Sequence, residues 1–544
     1  MAKHNMQQQE LEQNSLAQAD GAGSRFSLGR IVFTLSTIAL CTKVFGFAEK
    51  VVIAHFLGTS DMADVYFASV GIVLSVVWLL RELIYPSLLP VFAHSLSESA
   101  LASGTLFRKA FLSAVGFLGI AALTLAAFSG FLTDVLLPGF AESKRQITSN
   151  LLRMLAPGTF FLGLTMVTYT VLNARRQFMK AAWPEAALKF FIVSGLIVFL
   201  PSLKIYAVPV LIGLGALGCV CVQLYFIPER RFLFRRPSNA DTSGHFKKVL
   251  LLTGPLVVGV IFSHISALVD NLLASTLPSG QLSYLGYSKK LIDAILLIGP
   301  VALVTVVYSQ LSHLASVKDY KNFTSLVIKS FRVLLYLSAP LAFLLIGLKQ
   351  PLIRFFFQRG QFGVDSTLGT SQAFMVYALG LVTFSLETLL VHSFFALSDT
   401  KTPVKFGVLC VLLDIALALL LLKPLGYVGI AGAFVISKTI KITILAGILN
   451  KRLEGLFDSS MLGFSAKLAV TSGTLWVVLQ LLLRIDNPGS FVHTAVSDLM
   501  LPGIGAASAF VLCSYLLKIE EFKTVVSLVR YRKAAVSTLY GESK

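Results

Sequence analysis

Charged residues are scarce in this chain. Only 13% of its 544 residues are Asp, Glu, Lys or Arg, whereas a soluble protein has about a quarter. Hydrophobic residues make up 56% of the sequence, and the mean hydropathy is +0.79. This composition excludes an ordinary soluble domain and predicts a membrane protein.

Cysteine is also rare, with five residues that all fall in apolar stretches: Cys41, Cys219, Cys221, Cys410 and Cys513. Their spacing fits neither a disulfide framework nor a zinc site. The loops between the apolar stretches are short, and none holds the acidic and histidine cluster expected of a membrane-bound transferase. The sequence therefore predicts no enzyme, no metal and no cofactor.

Long apolar runs make up most of the sequence, and each can cross a hydrocarbon core about 30 Å thick. A hydropathy window predicts about fourteen spans. They lie at 30–57, 63–93, 107–137, 148–172, 182–202, 204–228, 246–276, 284–311, 322–349, 368–397, 402–424, 427–450, 462–483 and 494–517. The predicted fold class is an all-α polytopic membrane protein.

Lysine and arginine predict the orientation of these spans. They concentrate in the loops on the same side as the N-terminus, for example at Arg175, Arg176, Arg230 and Arg231. Basic loops face the cytoplasm, so both termini are predicted to be cytoplasmic. Basic loops beside an anionic leaflet also account for the net charge of +19, and nucleic acid is not a predicted partner.

An internal repeat divides the chain. The stretch KVVIAHFLGTSDMADVYF from Lys50 resembles DNLLASTLPSGQLSYLGY from Asp270, and a second pair, from Leu155 and Ala378, aligns at nearly the same offset. The repeat therefore predicts two six-span lobes with the same orientation, related by a pseudo-twofold axis along the membrane normal. The predicted domains are a disordered cytoplasmic tail (1–29), the N-lobe (30–228), a basic loop (229–245), the C-lobe (246–450), two additional spans (451–517) and a basic cytoplasmic tail (518–544).

Charges inside the spans collect in the first two spans of each half. These are Lys43, Glu49, Lys50, Arg81, Glu82, Asp270, Lys289, Lys290 and Asp293. Other charges are scattered through the remaining spans, at Arg153, Glu185, Lys189, Arg332, Glu387, Asp414, Lys438 and Lys441. Intramembrane charges usually face a bundle interior or a hydrated cavity, and transporters with such repeats bind substrate where the repeats meet. The alternative is that charges pair with one another or reach the membrane interface. We prefer this alternative for Glu82, Asp293, Lys438 and Lys441.

Lys43, Lys50 and Lys290 share one sign, and Lys43 and Lys50 are seven residues apart on one helix face. This favours a cationic cavity that selects an anion, and a lipid pyrophosphate fits such a cavity. The charges therefore predict Lys43, Lys50 and Lys290 as substrate-binding residues. Coupling or gating is assigned to Asp270, Glu387 and Glu82, with the membrane potential or a monovalent ion as the energy source.

Several motifs resemble the MviN/MurJ family of the multidrug/oligosaccharidyl-lipid/polysaccharide exporter superfamily over nearly the whole chain. The most specific are F-Q-R-G-x-F at Phe357–Phe362 and D-T-x-T-P-V at Asp399–Val404. The segment from Lys43 to Ala68 is similar to the family's opening motif. The resemblance implies fourteen helices, a cationic cavity, residence in the bacterial inner membrane and export of lipid II.

The cavity positions depart from the family pattern. Lysine replaces arginine at Lys43 and Lys290, and the pair Glu49–Lys50 stands where the family has arginine and aspartate. Asp64 is kept, Arg81 is the nearest counterpart of the arginines in span two, and Glu82 matches the family's glutamate. The resemblance thereby adds Arg81, Glu49 and Asp64 to the predicted substrate-binding residues. Because lysine lacks the two-pronged guanidinium, such changes are not conservative at a pyrophosphate site.

The sequence therefore predicts a flippase for an undecaprenyl-pyrophosphate-linked glycan, either lipid II or a related oligosaccharide. The alternative is a flippase for exopolysaccharide or capsule units. Less favoured are a cation-coupled multidrug exporter, whose cargo would need a more acidic cavity, and a non-transporting envelope scaffold. Predicted partners are the lipid-linked substrate, membrane lipids and polysaccharide-synthesis proteins.

Overall fold

The computed structural model describes residues 34–234, 243–297, 300, 302–453, 459–485 and 491–526. All regular elements within these ranges are helical. Apolar runs of this length are expected to form helices, because a helix satisfies its own backbone hydrogen bonds in lipid. The predicted N-terminal tail, part of the basic loop and most of the basic C-terminal tail lie outside the described residues.

Eighteen helices can be followed through these ranges. In chain order they are α1 (34–57), α2 (Asp61–Glu98), α3 (Ala100–Ala127), α4 (Ser129–Leu136), α5 (Glu142–Ala174), α6 (Phe178–Leu203), α7 (Ala207–Phe226), α8 (Ser243–Ser275), α9 (Gln281–Leu296), α10 (Ala302–Ser316), α11 (Tyr320–Gly347), α12 (Lys349–Phe357), α13 (Val364–Leu379), α14 (Leu381–Ala396), α15 (Lys401–Leu425), α16 (Tyr427–Leu453), α17 (Ser459–Ile485) and α18 (Phe491–Leu516). Short 3₁₀ turns lie at Lys204–Tyr206 and Pro228–Phe234.

Each predicted span coincides with one helix or with two consecutive helices. The span at 284–311 contains α9 and α10, and the span at 368–397 bends by 41° between α13 and α14. Within the described residues, nine helical segments are long and apolar enough to cross a membrane, with α6 and α7 counted together as one segment, or ten if the bent pair of α13 and α14 counts as one span. The helical multi-pass class is confirmed, whereas the count of fourteen stays a prediction.

The region from 178 to 226 forms two helices, as the sequence predicted. Lys204 ends α6 with a φ of 51°, a left-handed backbone that reverses the chain. The two helices then pack closely, since a Cβ added at Gly195 would lie 2.3 Å from Leu211 Cδ2. Glycine at this position therefore leaves room for the Leu211 side chain to pack directly against the backbone of α6.

The chain forms two compact units. Unit 1 contains Met1–Glu49, Val76–Phe128 and Leu151–Val257. Its core is built from side chains of α2, α3, α5 and α7, among them the buried Phe92, Phe107 and Val171.

Unit 2 contains Lys50–Ser75, Ser129–Asn150 and Val258–Lys544. Its core draws on α10, α11, α14, α16, α17 and α18, with Phe323, Phe394 and Leu449 fully enclosed. Residues 50–75 and 129–150 of the predicted N-lobe thus belong to unit 2, and the six-span lobe boundaries stay a prediction.

All five cysteines have free thiols. Cys219 and Cys410 are buried, in agreement with their apolar setting in the sequence, whereas Cys41 and Cys221 are exposed on the helix surfaces.

Candidate functional site

Unit 1 holds a guanidinium between two aromatic rings. The Arg81 guanidinium carbon lies 5.3 Å from the centroid of the Trp78 ring and 5.2 Å from that of Tyr169. Trp78 is three residues before Arg81 on α2, so both point from one helix face, and α5 supplies Tyr169. Cation–π contacts of this kind fix the direction of a guanidinium while leaving its N–H groups available.

Two acids of unit 1 lie among cations. Glu49 is 4% exposed and accepts a hydrogen bond from Lys189 Nζ at 3.0 Å. Lys43, Arg81 and Lys189 all act electrostatically on the carboxylate of Glu185. Its Oε1 atom is buried and has no hydrogen-bond partner within the described part of the chain. The group as a whole has more cations than acids.

Lys43 and Lys50 occupy different environments, in contrast to the shared setting that their spacing suggested. Lys43 belongs to unit 1 and is exposed, whereas Lys50 belongs to unit 2 and is only 6% exposed. Lys50 Nζ donates a hydrogen bond to the hydroxyl of Tyr66 and lies 4.7 Å from the centroid of its ring. Lys50 is therefore enclosed by protein, because a phenol ring and its oxygen replace water around the ammonium.

Asp64 is the most thoroughly buried acid among the predicted site residues, at 1% exposure. One carboxylate oxygen accepts hydrogen bonds from Lys144 Nζ and from the backbone N–H of Gly280, both at 2.8 Å. The other accepts from the backbone N–H of Ser283 at 2.8 Å. The carboxylate thus binds the N-terminus of α9, where the helix dipole favours negative charge. Asp64, Asp61, Lys144, Gly280 and Ser283 are called the Asp64 cluster below.

The Asp64 cluster lies where two turns of the internal repeat meet within unit 2. The turn from α1 to α2 contacts the turn from α8 to α9, and Tyr287 Oη donates to the carbonyl oxygen of Gly58 at 2.9 Å. Gly280 has a φ of 88°, and a Cβ there would lie 2.5 Å from the carbonyl oxygen of Thr59. Glycine is therefore required at position 280 on two counts, a left-handed backbone and a close approach.

The F-Q-R-G-x-F motif closes the same region. Gln361 N donates to the carbonyl oxygen of His55 at 2.8 Å, at the end of α1. The rings of Phe357 and Phe362 pack against Tyr287 with centroids 5.2 Å and 5.4 Å away. The motif therefore belongs to the interior of unit 2 and holds the end of α1 against the start of α13.

The remaining predicted residues of unit 2 are paired or partly enclosed. Asp270 is half-buried on α8 and interacts electrostatically with Lys289 and Asp414. Asp414 is 2% exposed and accepts a hydrogen bond from Ser266, while its Oδ1 has no partner among the described residues. Two acids and one lysine thus share the region between α8, α9 and α15.

Two further predictions concern lysines near acids. Lys290 Nζ lies 4.0 Å from Asp293, and both side chains are about half exposed. Glu387 Oε1 accepts hydrogen bonds from Lys438 at 2.9 Å and Lys441 at 2.7 Å. The pairing expected of Lys438 and Lys441 is confirmed. In unit 1, Glu82 is exposed on the surface of α2.

Sequence reasoning missed three residues that these clusters depend on: Lys144, Tyr169 and Glu185. Lys144 sits in the polar stretch ESKRQ at the start of α5, where a lysine normally faces the interface. Glu185 stood out as a charge inside a span, but no spacing rule joined it to Arg81 on another helix. Tyr169 is an aromatic residue in an aromatic-rich chain and gave no signal.

The sequence of this chain is similar to that of a known protein family. The profile of the family described as "Lipid II flippase MurJ" matches residues 53–497. A relative from Vibrio cholerae, named probable lipid II flippase MurJ, is 27% identical over 494 residues, covering 87% of this chain and 93% of the relative. A Haemophilus influenzae protein of the same name is 28% identical over 455 residues, covering 80% and 87%.

Solved structures agree on the fold. A structure of the lipid II flippase MurJ in an inward closed conformation superimposes with a TM-score of 0.74 at 21% identity, covering 89% of this chain and 98% of that one. An inward-facing multidrug transporter of the MATE family in the MOP superfamily gives 0.64 at 12% identity, covering 76% and 95%. Since the family profile spans most of the sequence, the chain belongs to the MurJ family of lipid II flippases.

Proposed function

We propose that this protein moves an undecaprenyl-pyrophosphate-linked glycan, in the first place lipid II, from the inner to the outer leaflet of the bacterial inner membrane. Family membership, the names of the relatives and the multi-pass helical fold support the proposal. The cargo has a long apolar chain and an anionic pyrophosphate, so the protein must bind charge within the membrane and then release it.

The observation that supports this most directly is Arg81 between Trp78 and Tyr169 in unit 1. A guanidinium binds pyrophosphate oxygens through parallel N–H groups, and here two rings hold it in one orientation. Lys43, exposed on α1, adds a second cation that acts on the same acid, Glu185. We assign Arg81 and Lys43 to the cationic central cavity that binds the cargo.

The mechanism we infer is alternating access. With both termini cytoplasmic, the turns from α1 to α2 and from α8 to α9 face outwards, and the Asp64 cluster ties them together. The similar solved MurJ structure is in an inward closed conformation, and a state of this kind is expected in an alternating-access cycle. Release to the outer leaflet then requires Asp64 to exchange its protein donors for water, each contact to a charged group contributing about 1.5–3 kcal/mol.

Energy coupling is assigned to Asp270 together with Asp414. Two neighbouring carboxylates cannot both be charged cheaply in a low-dielectric setting, so a proton or a monovalent cation would be taken up there. Lys289 faces the same pair and also lies 4.4 Å from the centroid of the Phe434 ring. A cation bound between these acids would compete with Lys289 and so change the packing of α9.

A specific observation also favours the second cargo, an exopolysaccharide or capsule unit. The exposed cation on α1 is Lys43, a lysine in the place of the arginine that the family resemblance implies. An ammonium binds phosphate as a point charge and does not impose two-pronged geometry. A site with fewer guanidinium groups would accept a cargo whose headgroup differs from that of lipid II.

Complementation tests the proposal. The wild-type protein and the variants Arg81→Ala and Lys43→Ala are expressed in cells depleted of their own lipid II flippase, and growth and membrane levels are measured. Lys180→Ala is the matched control, because Lys180 is an exposed cation of unit 1 that also lies over an aromatic ring, Phe226.

We expect growth with the wild type and with Lys180→Ala, and lysis with Arg81→Ala. Lysis with a well-expressed wild type would reject lipid II as the cargo and point to the second glycan. Growth with all four proteins would reject the assignment of Arg81 and Lys43.

A further inference from the structure

Two histidines and one glutamate meet at one end of unit 1, away from the charges discussed above. His94 and Glu98 lie one turn apart at the end of α2, and His245 lies in the first turn of α8. His94 Nδ1 is 3.1 Å from Glu98 Oε1, and His245 Nε2 is 3.1 Å from Glu98 Oε2. All three ligand atoms lie within 4.8 Å of one another.

These separations match those between ligands of a tetrahedral metal ion. With metal–ligand bonds of about 2.0–2.2 Å, neighbouring ligand atoms in a tetrahedron are about 3.3 Å apart. One oxygen of the carboxylate has this spacing to both rings, since Glu98 Oε1 lies 3.1 Å from His94 Nδ1 and 3.2 Å from His245 Nε2. Spacing of i and i+4 on α2 places His94 and Glu98 on the same face.

The ligand chemistry selects the type of ion. Neutral imidazole nitrogens suit zinc and similar transition metals, whereas Mg²⁺ and Ca²⁺ prefer sites made only of oxygen. The Glu98 carboxylate supplies one negative charge, and His94 and Glu98 are solvent-exposed, so an ion can enter from the water. Three protein ligands leave a fourth position for water, the arrangement found in open zinc sites.

We propose that His94, Glu98 and His245 form a binding site for a divalent transition-metal ion of the Zn²⁺ class. The bound ion links the end of α2 to the beginning of α8 inside unit 1. It thereby fixes the first turn of α8, the helix on which Asp270 lies further along the chain. Nothing in the transport chemistry proposed above requires this ion, so the site would modulate the stability of the helix pair.

Zinc binding to the full-length protein in lipid nanodiscs, with any purification tag removed, tests the proposal. Competition with a chromogenic zinc chelator gives the affinity and the stoichiometry, and metal analysis after gel filtration checks the stoichiometry. The variants are His94→Ala, His245→Ala and Glu98→Gln. His313→Ala is the matched control, because His313 is an exposed histidine near the end of α10 and outside the cluster.

We expect one tightly bound zinc per wild-type chain and per His313→Ala chain, with binding weakened at least tenfold in each of the three variants. Added zinc should raise the melting temperature of the wild type and leave that of His245→Ala unchanged. Co²⁺ should give the visible absorption of a four-coordinate site in the wild type only.

Equal zinc affinity in the wild type and His245→Ala would overturn the proposal and leave a hydrogen-bonded cluster. A Co²⁺ spectrum of a six-coordinate aqua ion would do the same. Each variant is compared with the wild type by its gel-filtration profile and its metal-free melting temperature, so that a folding defect is not taken for loss of a ligand.

Discussion

Charged side chains in the two units meet different surroundings. In unit 1, Arg81 lies between two rings and Lys43 is exposed, so both cations have N–H groups that a ligand can reach. In unit 2, Asp64 and Lys50 are nearly inaccessible and are held by groups of the protein. Lys50 was predicted to bind cargo from its spacing and Asp64 from the family resemblance, and that role stays a prediction. Their burial and their protein partners favour a role in holding unit 2 together.

The comparison separates two uses of intramembrane charge. A buried charge with protein partners locks a conformation, because removing one partner leaves the other charge uncompensated. An accessible charge supported by aromatic rings is suited to a ligand that comes and goes. Substitutions of the buried, paired charges should therefore change the stability of the protein. Substitutions of the accessible charges should change the affinity for cargo or the transport rate.

The largest effect is expected from Asp64→Ala. It removes the buried partner of the Lys144 ammonium, which keeps its pair with the exposed Asp61, and it removes the acceptor for two N–H groups at the start of α9. Breaking a buried pair in this way costs about 3–5 kcal/mol. Thermal melting of the purified protein should show a large decrease, and complementation should fail.

Asp61→Ala is the control for that change. Asp61 also pairs with Lys144, at 2.9 Å, but its side chain is 56% exposed. Exposed pairs contribute about 0–1 kcal/mol, so melting should change little. Equal losses for Asp61→Ala and Asp64→Ala would contradict the claim that burial decides the role.

Arg81→Ala should lower transport without lowering stability by a similar amount. Loss of a charge-assisted contact of about 1.5–3 kcal/mol weakens cargo binding roughly ten- to a hundredfold. Flipping of labelled lipid II in proteoliposomes measures the rate, with Lys180→Ala as the reference. Arg81→Lys should recover only part of the activity, because an ammonium does not stack as a planar guanidinium does. A normal rate for Arg81→Ala would remove Arg81 from the site.

Lys50→Met tests whether the enclosed Lys50, like Asp64, stabilises the fold of unit 2. The change keeps the length of the side chain and removes the hydrogen bond to Tyr66, at a cost of about 1–2 kcal/mol. Melting should decrease, and the decrease should not add to that of Tyr66→Phe in the double variant. An unchanged melting temperature with weaker cargo binding would instead return Lys50 to the cargo site predicted from the sequence.

The smallest effect concerns Asp399 of the D-T-x-T-P-V motif, which lies in the turn before α15. The backbone N–H and hydroxyl of Thr402, together with Arg452, lower the pKa of Asp399 below its usual value. A lowered pKa means that the charged form adds stability above about pH 4, the ordinary range for aspartate, and that this is lost as the pH falls through the lowered pKa.

Asp399→Asn should therefore melt slightly below the wild type, by an amount that is constant from pH 8 to about pH 5. The difference should shrink only in more acidic buffer. A difference that disappears between pH 7 and pH 5 would show that another titrating group is responsible.

Much of the fold could be predicted from the sequence, because apolar length is a strong local signal. Every predicted span overlaps a helix or a helix pair, and the internal repeat identified the turns after α1 and α8, which meet in unit 2. The bend between α13 and α14 gave no hydropathy signal, since apolar side chains continue through it. The short α12 was not predicted as a span, because Lys349, Gln350 and Arg354 interrupt its apolar residues.

The site was harder to predict because it depends on contacts between residues that are far apart in the sequence. Helix periodicity gives the face of a residue but not its neighbour on another helix. Lys43 and Lys50 share a face by spacing, yet Tyr66 from α2 covers only Lys50. Lys144 and Asp64 are 80 residues apart and pair only after folding. Sequence therefore identified most of the charges, and tertiary contacts decided which are accessible.

Disulfide trapping tests the central claim most directly, namely that the contacts around the Asp64 cluster must open during transport. Thr59 Oγ1 and Ser366 Oγ lie 2.7 Å apart beside this cluster, so Thr59→Cys and Ser366→Cys place two thiols within bonding range after small rotations. We expect lipid II flipping to stop when the pair is oxidised and to return after reduction, while each single variant is insensitive. Normal flipping by the fully cross-linked protein would contradict the account.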